Sequence, residues 1–346
     1  MHGYAPLVEV WRGDTVESVH YGAIALVDAQ GHLVASIGAP DEVTFLRSAA
    51  KPAQILPLLA SGVGDRFGFT DAEIAVMIGS HGGEPFHVDA VQSILGKIGL
   101  DETALQCGAH APYHRPSARA LRAAGASPTA LHNNCSGKHA GMLALSVALG
   151  APVATYVDPV HPVQVRIRAA VESLAGLGAG GARLAVDGCS APTFAVPLRA
   201  AALLFARLVA PEGVGPEIAG AAQRAVAAMR RHPEMIAGTD RLCTALMREG
   251  GAGLIAKIGA EGIYGLGFAR DGRGFGLALK IADGEGQRSR HTAAIEALRQ
   301  VGVLSQAAAA SLAARFVPEI RNHRGLLVGR VGTVFELETS LGGSRG

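Results

Sequence analysis

Strand-like patterning is confined to the two ends of this chain, and what lies between them reads as helix. Residues 21–38 form a hairpin pattern, Ala23–Val27 and His32–Ile37 on either side of the turn Asp28-Ala29-Gln30-Gly31. Residues 253–281 form a second strand-rich region: Ile255–Gly259, Ile263–Ala269, a turn at Asp271–Gly274, then Phe275–Ile281. From Ser48 to about Arg230, apolar residues recur at helical spacing in Ala140–Leu149, Val163–Leu174 and Ala195–Val209. A helix over His291–Val301, another near Leu312 and a short strand over Gly332–Leu337 complete the pattern. Early and late strands separated by helices require both ends to build one sheet. The expected class is therefore α/β (α+β), a central antiparallel sheet from both chain ends with flanking helices and a helical subdomain. A single domain over residues 1–346 is expected, its sheet-forming parts at about 1–45 and 250–346 and its helical middle at about 46–249.

With 346 residues, 49% of them hydrophobic and 17% charged, the chain can bury a sizeable core. A net charge of +2 and few aromatics argue against a nucleic-acid partner. The segment Met1–Val10 has neither a basic leader nor a continuous apolar run, so no secretory signal is expected. No stretch reaches membrane-spanning length; the richest, Ala195–Ala210, is interrupted by Pro197, Arg199 and Arg207. A soluble, cytoplasmic protein without membrane partners is the expectation. Four cysteines are too few for a disulfide framework and shift interest to thiol or metal chemistry.

Ser48 and Lys51 share one helical face, which lets an amine take a hydroxyl proton and turn the serine into a nucleophile. Pro52 and the apolar run after it place Ser48 at a helix start as a candidate N-cap, and Pro57 is expected to kink or shorten that helix. The macrodipole and burial both disfavour Lys51 as an ammonium. A second serine, Ser80, sits in Gly79-Ser80-His81-Gly82-Gly83-Glu84-Pro85, where small residues allow backbone N–H groups to approach a substrate as an oxyanion site. The bland alternative is a glycine-rich turn.

Reactive side chains crowd Leu131–Leu143 just before an apolar helix, with Cys135, Lys138 and His139 in its first turn. Together with Cys189 they make a tetrahedral zinc site conceivable, although the residues alone favour buried, inert cysteines. Cys107 and Cys243 are assigned to the core. Lys257, followed at two residues by Gly259, reads either as a solvated strand lysine or as a site with open space beside the chain. After an S-x-x-K it gains weight, because serine acyltransferases of the penicillin-binding class pair that motif with a downstream lysine strand.

Four segments in order match one family: Phe45–Pro52, Gly79–Pro85, His132–Met142 and Val186–Pro192. Through them the chain resembles the L-asparaginase II family of the rhizobial type, class 3, over nearly its full length. The resemblance implies a fold like that of serine β-lactamases, penicillin-binding proteins and glutaminases, hydrolysis of L-asparagine to L-aspartate and ammonia, and a cytoplasmic homodimer. It implies two serine and lysine pairs, Ser48 with Lys51 and Ser80 with Lys257, and one zinc ion (Zn2+) held by Cys135, Lys138 and Cys189. Substrate contacts carry over to Arg47, Glu84, His139 and Asp187. Gly79 and Gly82-Gly83 depart from the family's more varied small residues, which bears on the pocket mouth. A β-lactamase or penicillin-binding activity and a non-catalytic thiol or metal sensor on the same fold are the competing readings.

Overall fold

The computed structural model describes residues 3–251 and 253–339. Residues 1–2, 252 and 340–346, counted above within the sheet-forming ends, lie outside the described residues. The strands are β1 Ala5–Arg12, β2 Thr15–Asp28, β3 Leu33–Ile37, β4 Val43–Phe45, β5 Arg183–Val186, β6 Pro192–Pro197, β7 Ile255–Ile258, β8 Ile263–Arg270, β9 Arg273–Ile281, β10 Ile320–Arg321, β11 Leu327–Thr333 and β12 Glu338–Thr339. Two compact units result. A sheet unit takes Met1–Ala49, Val196–Ala210 and Ala245–Gly346, and a helical unit takes Ala50–Ala195 and Pro211–Thr244.

The sheet unit holds one antiparallel sheet in the order β10-β11-β1-β2-β9-β8-β7, with β3 beside β2 and β12 beside β3. Its two chain ends meet where β2 pairs with β9, from Gly22 opposite Ile281 to Asp28 opposite Phe275. The sheet class expected from the pattern is thus the one found. The turn between β8 and β9 is the two residues Asp271 and Gly272, both at positive φ (52° and 74°), the geometry that matches the twist of a tight hairpin. The β2–β3 turn is tied by Asp28, whose carboxylate accepts the N–H groups of Gln30 (3.1 Å) and His32 (2.9 Å).

The helix Leu198–Val209 packs on β2, β8 and β9 through a patch of glycines. A Cβ at Gly265 would lie 1.9 Å from the Phe205 ring, and one at Gly276 would lie 1.9 Å from the Ala202 carbonyl oxygen. Side chains at these sheet positions would hold the helix off, so their absence lets Leu204 and Phe205 bury completely. Burial of each such side chain contributes roughly 1.5–3 kcal/mol.

Three boundaries differ from the sequence pattern. β1 and the first half of β2 form a ribbon that the pattern did not flag, because Thr15–Val19 is largely solvent-exposed and lacks alternation. Ala195–Pro197 closes β6, and the expected helix from Ala195 starts at Leu198, once Pro197 has set the turn. The last long strand is β11, ending at Thr333, so most of the expected Gly332–Leu337 strand is irregular; Gln300 instead caps that segment, taking the Leu337 N–H and donating to the Phe335 carbonyl.

In the helical unit, Ser136–Leu149 packs against Asp71–Ile78 and Pro85–Lys97. Contact is close because Gly137 faces the Val76 carbonyl, where a Cβ would come within 2.2 Å. This brings the loop after Ile78 to the start of the Ser136 helix. All four cysteines, free and buried, belong to this unit, whereas the single tryptophan, Trp11, stands in β1 of the sheet unit beneath the Arg330 guanidinium at 4.4 Å. Among the described residues no helix is long and apolar enough to cross a membrane.

Candidate active site

Ser48 does not cap the helix that follows it. It lies half-buried in the 3-10 turn Arg47–Ala50, and the short helix Lys51–Gln54 begins after Ala50 without a side-chain cap. Pro52 is accepted in the first turn, and the chain restarts as Leu56–Ala60 around Pro57, the interruption expected of that proline. Lys51 is wholly buried, so its amine must find partners inside the protein.

Those partners are specific. The Lys51 amine reaches the Gly79 carbonyl at 2.6 Å, Ser80 Oγ at 3.0 Å and the Asn134 carbonyl at 3.2 Å, and it also hydrogen-bonds the Cys135 sulfur. The two carbonyls only accept, whereas the Ser80 hydroxyl can also give a proton to the amine. Burial is the largest influence on Lys51 and lowers its pKa, with Cys135 offsetting part of that. Within the helical unit the hydrogen-bonded pairing is therefore Lys51 with Ser80.

Cys135, Lys138 and Cys189 converge on the same place. Lys138 Nζ stands 2.9 Å from Cys189 Sγ, and the two cysteines are hydrogen-bonded to each other. The Cys189 contact, then Lys51 and Lys138, hold Cys135 well below the usual thiol range, while the same contact and burial push Cys189 up. Within this pair the negative charge is favoured on Cys135 over Cys189. Burial works against the Lys138 ammonium, but Cys135 and Cys189 outweigh it and raise its pKa. Asn133 fixes Cys135 by accepting its N–H at 2.8 Å. Among the described residues no group of three or more His, Cys, Asp or Glu could hold a metal ion; here two sulfurs and a lysine nitrogen are gathered instead, a donor set that suits a thiophilic cation such as zinc once Lys138 gives up its proton. Ser80, Lys51, Cys135, Cys189 and Lys138 form one continuous polar chain.

The Gly79–Pro85 loop is less open than expected. The N–H of Ser80 donates to the Ile236 carbonyl at 2.8 Å, that of Gly83 to His81 Nδ1 and that of Glu84 to His87 Nδ1. These donors are committed within the loop's own scaffold, so the expected backbone oxyanion site is not made by them. Gly79 serves close approach, since a Cβ there would meet the Met235 carbonyl at 2.6 Å. Glu84 is buried with both carboxylate oxygens on Thr239, from its N–H at 3.0 Å and its hydroxyl at 2.9 Å. Asp187 is half-buried, accepts the Gly188 N–H at 2.9 Å and adds to the field on Lys138.

In the sheet unit, Arg47 has φ of 47°, a left-handed conformation that non-glycine residues rarely adopt, directly before Ser48. Its guanidinium is 4.0 Å from Glu261. Lys257 is fully buried in β7 and donates to the Ile258 carbonyl at 2.9 Å, which removes the solvated-lysine reading. The space beside Gly259 is not open: a Cβ there would meet the Leu46 carbonyl at 2.7 Å and the Ala49 nitrogen at 3.3 Å. Glycine at this position admits the backbone that carries Ser48.

His139 is fully buried, its Nδ1 at 2.7 Å from the Tyr156 hydroxyl, and burial followed by Lys138 and Lys51 lowers its pKa. Sequence reading missed Tyr156, Asn133 and His81. The first follows the short turn Val153–Thr155 in a largely apolar segment without a helical or strand pattern; the others carried no signal beyond standing inside the polar segments.

No curated protein compared with the chain matches it. A solved structure described as Mglu in its glutamate form is similar over 81% of this chain and 59% of its own, at 16% identity and a TM-score of 0.42. The chain thus spans about 59% of the length of that protein. A β-lactamase from Mycobacterium bovis is similar over 82% of this chain and 95% of its own, at 15% identity and a TM-score of 0.42. The family description L-asparaginase II matches residues 8–333, a span that includes every residue of the candidate site. The chain belongs to the L-asparaginase II family.

Proposed function

We propose that this protein converts L-asparagine to L-aspartate and ammonia through a serine ester, with Lys51 as its base. Family membership supports an asparagine amidohydrolase. The observation that carries the serine and lysine mechanism is the wholly buried Lys51 amine at 3.0 Å from Ser80 Oγ, between the Gly79 and Asn134 carbonyls.

In this reading Ser48 attacks the side-chain amide carbon, its proton passing to Lys51, and the C–N bond breaks as the nitrogen takes a proton and leaves as ammonia. Water then cleaves the ester to release aspartate. Attack is assigned to Ser48 because it is more open than buried Ser80 and follows a strained Arg47, whose positive φ is the kind of backbone cost that accompanies functional positions. Ser80 relays the proton, and Lys257 is its proposed second partner in that relay. Arg47, His139 and Asp187 are the proposed substrate contacts. Glu84, with both oxygens on Thr239, acts by fixing the loop that bears Ser80.

Cys135, Lys138 and Cys189 would hold zinc. When bound there the ion supplies a Lewis-acidic anchor for the α-carboxylate or α-amine of the substrate. The four free thiols favour a reducing, cytoplasmic compartment, and a homodimer is proposed on family resemblance.

The test is ammonia release from asparagine, glutamine and a chromogenic β-lactam on one preparation whose zinc content is measured. Asparagine is the expected substrate, with one zinc per chain. Ser48→Ala is expected to lower kcat on the order of 10⁴-fold or more, and Ser80→Ala by about 10²- to 10⁴-fold. An acyl adduct trapped by acid quench in Ser80→Ala, and missing in Ser48→Ala, fixes the roles. Wild-type turnover by Ser48→Ala would end the assignment.

A further inference from the structure

The tautomer of His139 is set by its neighbours. The Gln106 N–H donates to the Tyr156 hydroxyl oxygen at 2.8 Å. Tyr156 is fully buried, and among the described residues the acceptor for its own hydrogen is His139 Nδ1, at 2.7 Å. A neutral imidazole that accepts at Nδ1 carries its hydrogen on Nε2. That Nε2 is buried and has no hydrogen-bond partner among the described residues. The ring is also pinned sideways, edge-on to the Tyr156 ring with planes at 84°.

A buried donor without an acceptor, set beside two amines, marks a place for an oxygen carrying negative charge. We propose that Tyr156 is a positioning residue that locks His139 as the Nε2–H tautomer, so that this hydrogen is a permanent donor to a carboxylate or amide oxygen of the bound substrate. The identity of that substrate rests on the asparaginase reading above. The role of Tyr156 does not, because the chain from Gln106 to Tyr156 to His139 is complete in the protein itself. Nothing in sequence spacing foretold it, since the three residues lie in separate segments.

The experiment is nitrogen NMR of the folded enzyme labelled with ¹⁵N-histidine, His139 being identified by its loss in His139→Gln. In the wild type the two-bond pattern is expected to be that of an Nε2–H imidazole. Tyr156→Phe removes the donor to Nδ1, and the pattern is expected to become a mixture of tautomers, with KM for asparagine up about 10-fold and kcat within about threefold. Fluorotyrosine at position 156 keeps the hydroxyl and is expected to restore both the single tautomer and KM, which separates positioning from mere filling of space. An unchanged Nε2–H pattern in Tyr156→Phe would overturn the proposal, as would a fluorotyrosine enzyme as impaired as the phenylalanine one. A wild type that turns over no asparagine would sink the asparaginase reading and leave the tautomer result standing.

Discussion

Burial shifts the rings of His81, His87 and His139 toward the neutral form. His87 shows the energetic consequence most simply. Its Nδ1 accepts the Glu84 N–H at 3.2 Å, its Nε2–H donates to the Glu234 carbonyl at 2.9 Å, and burial lowers its pKa from 6.5 to about 4. The folded chain therefore excludes a proton that the unfolded chain takes up below pH 6.5. This stability is full above pH 6.5, declines as pH falls, and by pH 4 is reduced by about 3 kcal/mol. His87→Asn keeps an acceptor for Glu84 and loses the titration. Urea unfolding at pH 7 and pH 5 is expected to show that the wild type loses about 2 kcal/mol more than the variant over that interval. Equal losses would mean that His87 is not the acid-sensitive group. His81 stands on the same footing as a neutral ring, accepting from Gly83 and donating to Ser136 at 3.0 Å, and so ties the Ser80 loop to the start of the helix Ser136–Leu149.

Among the elements, glycine content has two opposite meanings, and the sequence does not distinguish them. Gly276 in β9 lies where a Cβ would press on the Ala202 backbone at 1.9 Å, whereas Gly220 in the helix Pro216–Arg231 has nothing within 4 Å. Gly276→Ala is expected to cost about 3 kcal/mol or more, because the helix Leu198–Val209 must lift off the sheet. Gly220→Ala is expected to stabilise by about 0.5–1 kcal/mol through helix propensity. Thermal or denaturant midpoints of the two variants check both signs. The strands and main helices were legible because their apolar periods follow from burial on one face, as in β8, β9 and Ser136–Leu149. Their ends were not: β1 and Thr15–Val19 are half-exposed, and Pro197 moved a helix start by setting the preceding residues in β6. In the site, Ser48, Lys51 and Ser80 could be named from local motifs, and the Cys-Lys-Cys donors only from the family resemblance. The bond from Lys51 to Ser80, the engagement of Glu84 by Thr239 and the service of Tyr156 to His139 join segments far apart in the chain, which no local spacing encodes.

For the molecule as a whole, the division into a sheet unit and a helical unit also divides its chemistry. The sheet unit contains Ser48 and Lys257, and the helical unit contains Lys51, Ser80 and every thiol. Burial raises Cys107 to about 12, and Cys135, although it favours the thiolate, is only 4% exposed. Ellman's reagent is accordingly expected to find less than about one reactive thiol per native chain within minutes, and all four in denaturant. Rapid modification of two or more in the native protein would contradict this burial. The placement of Trp11 completes the division, because the sole indole lies in the unit that has no sulfur nucleophile. The wild-type chain is therefore doubly labelled by nature: indole emission follows one unit, alkylation kinetics follow the other, and their loss of structure can be timed separately without an added dye.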